Sequence, residues 1–495
     1  MKIVLTASKA LMSDYNGTSY LGFASALPSC ILRDFIADRL FPTYSDKNGR
    51  SKIAYYGLAK VEAKLLEEFS RDEVIIADPR KLHLVVKEDT KVLGISCMDP
   101  LGISYGSGIV YATLMLLGIP FEPKSYMSKS FMELLNHPSV KKYRPKIIVG
   151  GPASWQFVDL KVQEELGIDT VVIGEGEGIV IDLFKKAVNG EELPKVVYGK
   201  PVDVKDIPTI KTPSVNGIVE ITRGCGRGCK FCTPTLLKFR SIPFEKIREE
   251  IELNLRNGIK SIGLHSDDFL RYGSKGLIPN EEKLLELFEK VQRISNGLPI
   301  GVDFVCASSV MCNPKLVERI GNDYVNVGRR TFIEVGIETG SPELIKKVMP
   351  GKVKPFKPEE YPEIVKNAVG VLNDSGWTVV ATMITKIPEE TSEDVIKSIE
   401  LVDDLYDYDI IIFVLPFIPM GAYRGEEQVA LRELVEDDLR RELMVKSLKK
   451  TVSQVKKDSN VVERGLRSRI AKYAFRFAMN YLMKKLNKIE VKRYV

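Results

Sequence analysis

The sequence is poor in several residue types and patterns that mark function. Its 495 residues include three histidines, two tryptophans and seven cysteines. An odd number of cysteines does not suit a framework of paired disulfides. No apolar run reaches the ~18–20 residues that a membrane span needs, and the N-terminus lacks the apolar stretch and cleavage site of a signal peptide. We therefore expect a cytoplasmic protein without membrane association.

Composition and charge are those of an ordinary globular protein. The chain has 72 Lys and Arg against 66 Asp and Glu, a net charge of +6, and 44% of its residues are hydrophobic. At about 100–200 residues per domain this length allows two to four domains. The segment from Lys446 onward is strongly basic. It suits either a solvated helical appendage or a docking surface for an acidic partner.

Residues 1–190 alternate short β-branched runs with helical patterns, which predicts a Rossmann-like α/β domain. The strand candidates are Lys2–Ala7, Glu73–Ala77, Val92–Cys97, Lys146–Val149 and Thr170–Ile173. In such a sheet, ligands bind where loops leave the carboxyl ends of the strands, and glycine lets the backbone approach a bulky ligand. The loop residues that we select as cofactor contacts are Asn16, Gly17, Asp99, Pro100, Leu101, Gly102, Gly151, Pro152, Gly174, Glu175, Gly176 and Glu177.

A proline-containing stretch, 191–214, is predicted to be a linker, and a second series of strands and helices follows in 215–425. Its strand candidates are Gly217–Thr222, Ser261–Leu264, Gly301–Val305, Phe332–Gly336, Thr378–Ile384 and Ile410–Leu415. Six such units in series predict a barrel or partial barrel. Residues 426–495 are predicted to form a helical C-terminal domain, with helices over Leu431–Val455 and Val462–Leu486.

Three cysteines follow the first strand of this second series. Cys225, Cys229 and Cys232 have the spacing C-x3-C-x2-C, interleaved with glycines. Structural zinc requires four protein ligands, and no fourth ligand lies nearby, although a catalytic zinc with three cysteines and water stays open. Three thiolates fit a four-iron cluster better, because they leave the fourth iron free for another ligand. An electron-transfer module is a further alternative, but such carriers usually have four ligands.

This motif, with an aromatic residue before its last cysteine, resembles the signature of radical S-adenosylmethionine (SAM) enzymes. The resemblance covers about residues 215–420. It implies a partial (βα)6 barrel, a [4Fe-4S] cluster held by Cys225, Cys229 and Cys232, and SAM bound to the open iron. It also implies that SAM cleavage yields a radical that abstracts a hydrogen atom from the substrate, and that a low-potential electron donor is required.

Further site residues follow from the same resemblance. Phe231 is similar to the aromatic residue beside the adenine, with core filling as the alternative. Asp267 or Asp268 takes the place of the family's carboxylate that contacts the methionine amino group, with helix capping as the alternative. Glu338 lies in a segment that resembles the family's Glu-x-Gly segment near the cosubstrate, and Ser308 and Ser309, after the third strand, are expected to reach the cosubstrate as well.

Residues 1–190 resemble the cobalamin-binding domain that precedes the barrel in one large subgroup. The glycine-rich loops 150–152 and 174–178 carry this resemblance, and a nicotinamide-binding domain is a weaker alternative because the G-x-G-x-x-G spacing is missing. No D-x-H-x-x-G motif occurs, so the usual histidine ligand to cobalt is absent. A domain that only shapes the barrel entrance is the other alternative.

The subgroup resemblance implies a cobalamin-dependent methyltransferase acting on an sp3 carbon. A cyclase or rearrangement enzyme and an RNA-modifying enzyme are the alternatives, although the small net charge speaks against nucleic acid as partner. The cysteine motif with Gly-Gly-Pro-Ala-Ser-Trp-Gln upstream is also similar to archaeal enzymes that modify methyl-coenzyme M reductase, among them a glutamine C-methyltransferase. This narrower resemblance implies a protein or peptide substrate.

Overall fold

The computed structural model describes residues 1–466 and 468–489. The chain divides into two compact units. Unit 1 comprises Met1–Ser107, Phe121–Val219 and Arg248–Lys260, and unit 2 comprises Gly108–Pro120, Glu220–Ile247 and the chain from Ser261 onward. Residue 467 and residues 490–495, which belong to the predicted helical domain 426–495, lie outside the described residues.

Unit 1 is built on a parallel sheet. Its strands are β1 Ile3–Ala7, β2 Val74–Ile76, β3 Val92–Ser96, β4 Lys146–Gly150, β5 Thr170–Gly174 and β6 Val196–Gly199. The helices of this part of the chain are α1 Asp34–Leu40, α2 Tyr56–Leu65, α3 Leu82–Val85, α4 Tyr105–Leu116, α5 Tyr126–Leu135, α6 Pro138–Tyr143, α7 Trp155–Asp159 and α8 Val180–Val188. The strand order β2-β1-β3-β4-β5-β6 confirms the predicted doubly wound α/β fold.

Both faces of this sheet are buried, as the apolar runs predicted. Along β1, Ile3 and Leu5 belong to one core cluster, while Val4 belongs to the cluster on the opposite face. The alternation follows from the two-residue period of a strand. Helices therefore cover both faces, which leaves the strand ends and their loops as the accessible edges of the sheet.

The segment 191–214, predicted to be a linker, contributes structure to unit 1. β6 lies within it and pairs with β5. Its last residues are also fixed, because the backbone N–H of Ser214 donates to Asn254 Oδ1 at 2.8 Å. The four prolines and the lack of periodicity concealed this strand, whose residues are only half-buried or exposed at the sheet edge.

Unit 2 contains the predicted second series. Its strands are β7 Ile218–Glu220, β8 Thr222–Arg223, β9 Arg240–Ser241, β10 Ile262–His265, β11 Ile300–Val302, β12 Thr331–Glu338, β13 Trp377–Thr385 and β14 Ile410–Pro416. Its helices are α9 Phe244–Arg256, α10 Glu281–Ser295, α11 Ala307–Cys312, α12 Pro314–Ile320, α13 Pro342–Val348, α14 Pro350–Val353, α15 Tyr361–Asp374, α16 Ser392–Asp404, α17 Leu431–Glu436, α18 Asp438–Lys457, α19 Ser459–Val462 and α20 Arg469–Leu486. The first two residues of β7 and the last nine residues of α9 are counted with unit 1, and α4 from Gly108 onward is counted with unit 2.

Six of these strands form the predicted partial barrel. They make two three-stranded parallel sheets, β7-β10-β11 and β12-β13-β14. A bridge between Phe304 and Glu334 joins the two sheets, and the N–H of Val305 donates to Glu334 O at 3.0 Å. The strands thus follow one another in chain order, as expected for successive βα units.

Helix α18 covers the last strand of this series. Thr451 Oγ1 accepts a hydrogen bond from the Ile412 N–H at 2.9 Å and donates to Ile412 O at 2.8 Å. A helix on an edge strand satisfies backbone groups that another strand would otherwise use. The predicted helix 431–455 is broken in two, because Asp437 accepts from the Arg440 N–H and starts a new helix. Within the described residues, no helix has the length and apolar character of a membrane span.

Candidate active site around the cysteine loop

The three cysteines lie in a loop that a short antiparallel pair, β8 and β9, closes at its base. Gly224 has a φ of +77°, and a side chain there would meet Leu237 O at 2.7 Å. The loop is therefore folded against its own returning strand, which only glycine permits at this position. The N–H of Cys225 donates to Pro234 O at 3.2 Å, and that of Cys232 donates to Cys229 O at 3.2 Å.

The thiols of this loop are largely withdrawn from water. Cys229 is buried, and Cys225 and Cys232 are half-buried. Burial raises the pKa of Cys225 and of Cys232 to about 12, so iron has to displace their protons on binding. Within the described residues, no three His, Cys, Asp or Glu side chains are grouped to hold a single metal ion. A four-iron cluster makes a different demand, because each thiolate binds a different iron.

Arg227 lies inside the cysteine loop and fixes it to the strand ends. Its guanidinium donates to Asp268 Oδ2 at 3.0 Å, Ser309 Oγ at 2.6 Å, Ser308 Oγ at 3.1 Å and Gly351 O at 3.1 Å. Both partners of the Arg227–Asp268 ion pair are buried. The loop that carries the thiols is thereby held against the segments that follow β10, β11 and α13.

Of the two acidic residues that the sequence offered, Asp268 lies beside the cysteine loop. Its Oδ2 accepts from Arg227 and from Ser309 Oγ at 2.6 Å, while its buried Oδ1 has no partner in the described part of the chain. It makes no side-chain cap to the turn Phe269–Arg271, which removes the capping alternative. An unpaired, buried carboxylate oxygen beside the thiol loop fits a cationic ligand group.

Glu338, at the end of β12, forms a second buried ion pair of this site. Lys352 Nζ donates to its Oε1 at 2.9 Å, and Thr382 Oγ1 donates to its Oε2 at 3.2 Å. Its backbone adopts a φ of +69°, and a side chain at Gly336 would collide with Glu338 Oε1. The backbone at positive φ and the absence of a side chain at Gly336 allow this carboxylate to reach Lys352 and Thr382.

Asp267 belongs to a different group of polar side chains. His265 Nδ1 and Asp303 Oδ2 are paired, and their side chains are 42% and 36% exposed. Asp303 raises the pKa of His265 to about 9, and burial together with Asp303 raises the pKa of Glu334 to about 7. Burial also raises the pKa of Asp267, which His265 partly offsets. These residues follow or lie on the adjacent strands β10, β11 and β12, at one level of the barrel.

The loops selected in unit 1 all follow β1, β3, β4 or β5 at the carboxyl edge of the sheet. Asp99 organises one of them, because its Oδ1 accepts from the N–H of Ile103 at 2.9 Å, from the N–H of Ser104 at 3.0 Å and from Gln156 Nε2 at 3.0 Å. Gln156 Oε1 in turn accepts from the Leu101 N–H at 2.9 Å. Asp99 thus shapes its loop and has little capacity left for a ligand.

The positions of these loops require glycine for different reasons. A side chain at Gly151 would meet Cys97 O at 2.5 Å, and one at Gly174 would collide with Gly199 O, so both serve packing within unit 1. Gly17, by contrast, has a φ of +78° and open space beside it. The strand order reverses between β1 and β3, and in doubly wound sheets this is where ligands bind. The loops after β1 and β3 are therefore the best placed for a cofactor.

Comparison with known proteins gives the class of the stretch that contains the cysteine loop. Residues 219–402 match the model of the Radical SAM superfamily. This stretch is a radical SAM domain. It includes the cysteine loop, Asp268, Ser309 and Glu338, and the class implies a [4Fe-4S] cluster and SAM as cofactors.

The relatives by sequence are mostly methylthiotransferases. A 26% identical stretch of the ribosomal protein uS12 methylthiotransferase of Carboxydothermus hydrogenoformans covers 45% of this chain and 49% of that protein. The tRNA-2-methylthio-N(6)-dimethylallyladenosine synthase of Bacillus subtilis is 23% identical over 72% of this chain and 68% of its own. This chain thus spans about half to two thirds of the length of the curated relatives it matches.

One solved structure resembles this chain over a longer stretch than residues 219–402. TsrM from Kitasatospora setae, a radical SAM methyltransferase solved with cobalamin and a [4Fe-4S] cluster, aligns with 85% of this chain and 74% of its own. The TM-score is 0.53 at 15% identity. The likeness confirms the fold, an α/β domain in series with a radical SAM domain.

Two residues of the radical SAM domain were not selected from the sequence. Arg227 stands between two of the cysteines, and that position was the available signal. Lys352 gave no signal, because it lies far along the chain in the short helix α14. Phe231 is buried, which suits both the adenine contact and core filling.

Proposed function

We propose that this chain is a cobalamin-dependent radical SAM methyltransferase that methylates an sp3 carbon. The observation that carries the proposal is the pairing in one chain of a radical SAM domain with a doubly wound domain, in a fold similar to that of TsrM. When bound, the cluster and SAM supply hydrogen-atom abstraction, and cobalamin supplies the transferred methyl group. The loops after β1 and β3, with Asn16, Gly17 and the Asp99 loop, would hold the corrin.

In this proposal the residues of the radical SAM domain have distinct roles. Cys225, Cys229 and Cys232 hold the cluster as thiolates. Asp268 accepts hydrogen bonds from the amino group of SAM through its unpaired Oδ1. Arg227 holds the Asp268 carboxylate in place.

The substrate proposal depends on sequence resemblance. A protein or peptide, with glutamine in methyl-coenzyme M reductase as the specific proposal, follows from the similarity to the archaeal enzymes. A low-potential electron donor is a required partner. The cytoplasmic location expected from the sequence stays a prediction.

Metal content tests the cofactors. The full chain is purified anaerobically with iron, sulfide and hydroxocobalamin, and iron and cobalt are then measured. We expect four irons and one cobalt per chain, with loss of iron in Cys229→Ala and no loss in the matched control Cys312→Ala, which lies outside the loop. Zinc in place of iron, or a reduced cluster whose EPR spectrum does not change when SAM is added, would contradict the proposal.

The names of the sequence relatives favour a second candidate, a methylthiotransferase that acts on RNA or a ribosomal protein. The product separates the two, because methylation adds CH2 and methylthiolation adds sulfur as well. Methyl-labelled methionine transfers its label in both reactions, so the mass of the product is the deciding measurement. An unchanged product mass would favour a cyclase or rearrangement enzyme.

A further inference from the structure

Helix α20 presents a stripe of large apolar side chains to solvent. Ile470 is 80% exposed, Tyr473 71%, Phe477 72% and Tyr481 43%. The four residues are three or four positions apart, so they share one face of the helix over three turns. Single exposed apolar residues are common, but a continuous stripe of this kind marks an interaction surface.

The opposite face of α20 anchors the helix to unit 2. Met479, Leu482, Met483 and Leu486 pack in a cluster with Leu117 and Val452. Apart from Ile470, the large aliphatic and sulfur-containing residues that contact the cluster lie on the inner face, and most of the aromatic residues of the helix lie on the outer face. Folding does not require the outer stripe, because the inner face already buries the apolar surface that holds the helix.

The surroundings of the stripe are positively charged. Helix α20 contains no acidic residue, and Arg469, Lys472, Lys484 and Lys485 are among its basic residues. Lys485 Nζ lies 5.8 Å from the centre of the Tyr481 ring. Residues 446–495 hold fifteen Lys and Arg against three Asp and Glu, so the rest of the chain, at a total of +6, is net negative. The charge asymmetry selects an anionic partner.

We propose that the outer face of α20 binds RNA. Tyr473, Phe477 and Tyr481 offer rings on which unpaired bases stack, and the flanking lysines neutralise phosphates. A membrane surface fits less well, because three of the four stripe residues are aromatic and two of them are tyrosines, whereas the leucines Leu482 and Leu486 face the protein. A second copy of the chain would bring two basic helices together. The proposal goes beyond the proposed function, since this binding requires neither the cluster nor cobalamin.

Fluorescence anisotropy with a short labelled single-stranded RNA and the full-length chain tests the aromatic stacking. We expect each of Tyr473→Ala, Phe477→Ala and Tyr481→Ala to weaken binding about fivefold or more. Phe35→Ala and Tyr198→Ala remove equally exposed aromatic residues from unit 1 and serve as matched controls, with unchanged affinity. Circular dichroism confirms that each variant keeps its helices.

The salt dependence tests the charges separately. The logarithm of the RNA association constant falls linearly with the logarithm of the salt concentration. This slope should become less steep by about 0.7 for each phosphate that Lys484→Gln or Lys485→Gln no longer neutralises. RNA affinity that is unchanged in all three aromatic variants would overturn the proposal. The proposal would also be overturned if RNA did not bind while the stripe residues were needed for binding to phosphatidylcholine–phosphatidylglycerol vesicles or for self-association. Metal content and product mass, which test the proposed function, are independent of these outcomes.

Discussion

Replacing Arg227 with methionine is the perturbation whose effect the structure defines best. The guanidinium makes four hydrogen bonds, to Asp268, Ser309, Ser308 and Gly351, and is buried. Methionine has a similar volume but no donor, so the variant leaves the Asp268 carboxylate buried without its cation. The change isolates the electrostatic part of the interaction from its packing.

The expected loss follows from burial. Removing one partner of a buried ion pair costs about 3–5 kcal/mol, because the remaining charge is uncompensated. Ser309 Oγ still donates to Asp268 Oδ2 at 2.6 Å, which favours the lower end, about 3 kcal/mol. The double variant Arg227→Met with Asp268→Asn removes the stranded charge, and we expect it to recover about half of the loss.

Urea unfolding of the chain prepared without cofactors measures these free energies, so that cluster content does not enter. Arg432→Met is the matched control: its pair with Glu436 is 2.6 Å long but highly exposed to solvent, so its loss should leave the free energy of unfolding nearly unchanged. A loss below about 1 kcal/mol for Arg227→Met, or a double variant no more stable than the single one, would refute the reasoning.

Three further predictions concern packing, pH and unit 1. Gly421→Ala should reduce the iron bound after reconstitution, because a side chain there collides with Lys230 O in the cysteine loop, whereas Gly425→Ala, also at positive φ but with open space, should retain it. The raised pKa of Glu334, about 7, means that the folded state binds its proton more tightly than the unfolded state. The contribution of Glu334 to the free energy of unfolding should therefore fall between about pH 4.5 and 7. Compared with the unsubstituted chain at the same pH, Glu334→Gln should gain about 1–3 kcal/mol of stability on going from pH 5 to pH 8, as measured by unfolding. An equal difference between variant and unsubstituted chain at both pH values would contradict this. Lys60→Met should destabilise unit 1 by about 3 kcal/mol, since Lys60 Nζ forms a buried 2.6 Å pair with Glu250 Oε1; an unchanged denaturation midpoint would show that the pair is dispensable.

Much of the fold was accessible from the sequence because its signals are local. The apolar runs at β1 to β5 and at the six barrel strands match the observed strands within a few residues. Strand β6 was not predicted, because a strand at the edge of a sheet needs no apolar pattern. The helix over 431–455 was predicted as one because a single capping residue, Asp437, breaks it.

The spacing of Cys225, Cys229 and Cys232 determined the candidate chemistry by itself, because cluster ligands from one short loop are a local property of the chain. The contacts that favour Asp268 over Asp267, the Glu338–Lys352 pair and the contacts of Arg227 are visible only in the tertiary structure. Each depends on which side chains from distant strands meet in a buried space, and a buried charge is stable only beside its partner. No pattern within one segment encodes that meeting.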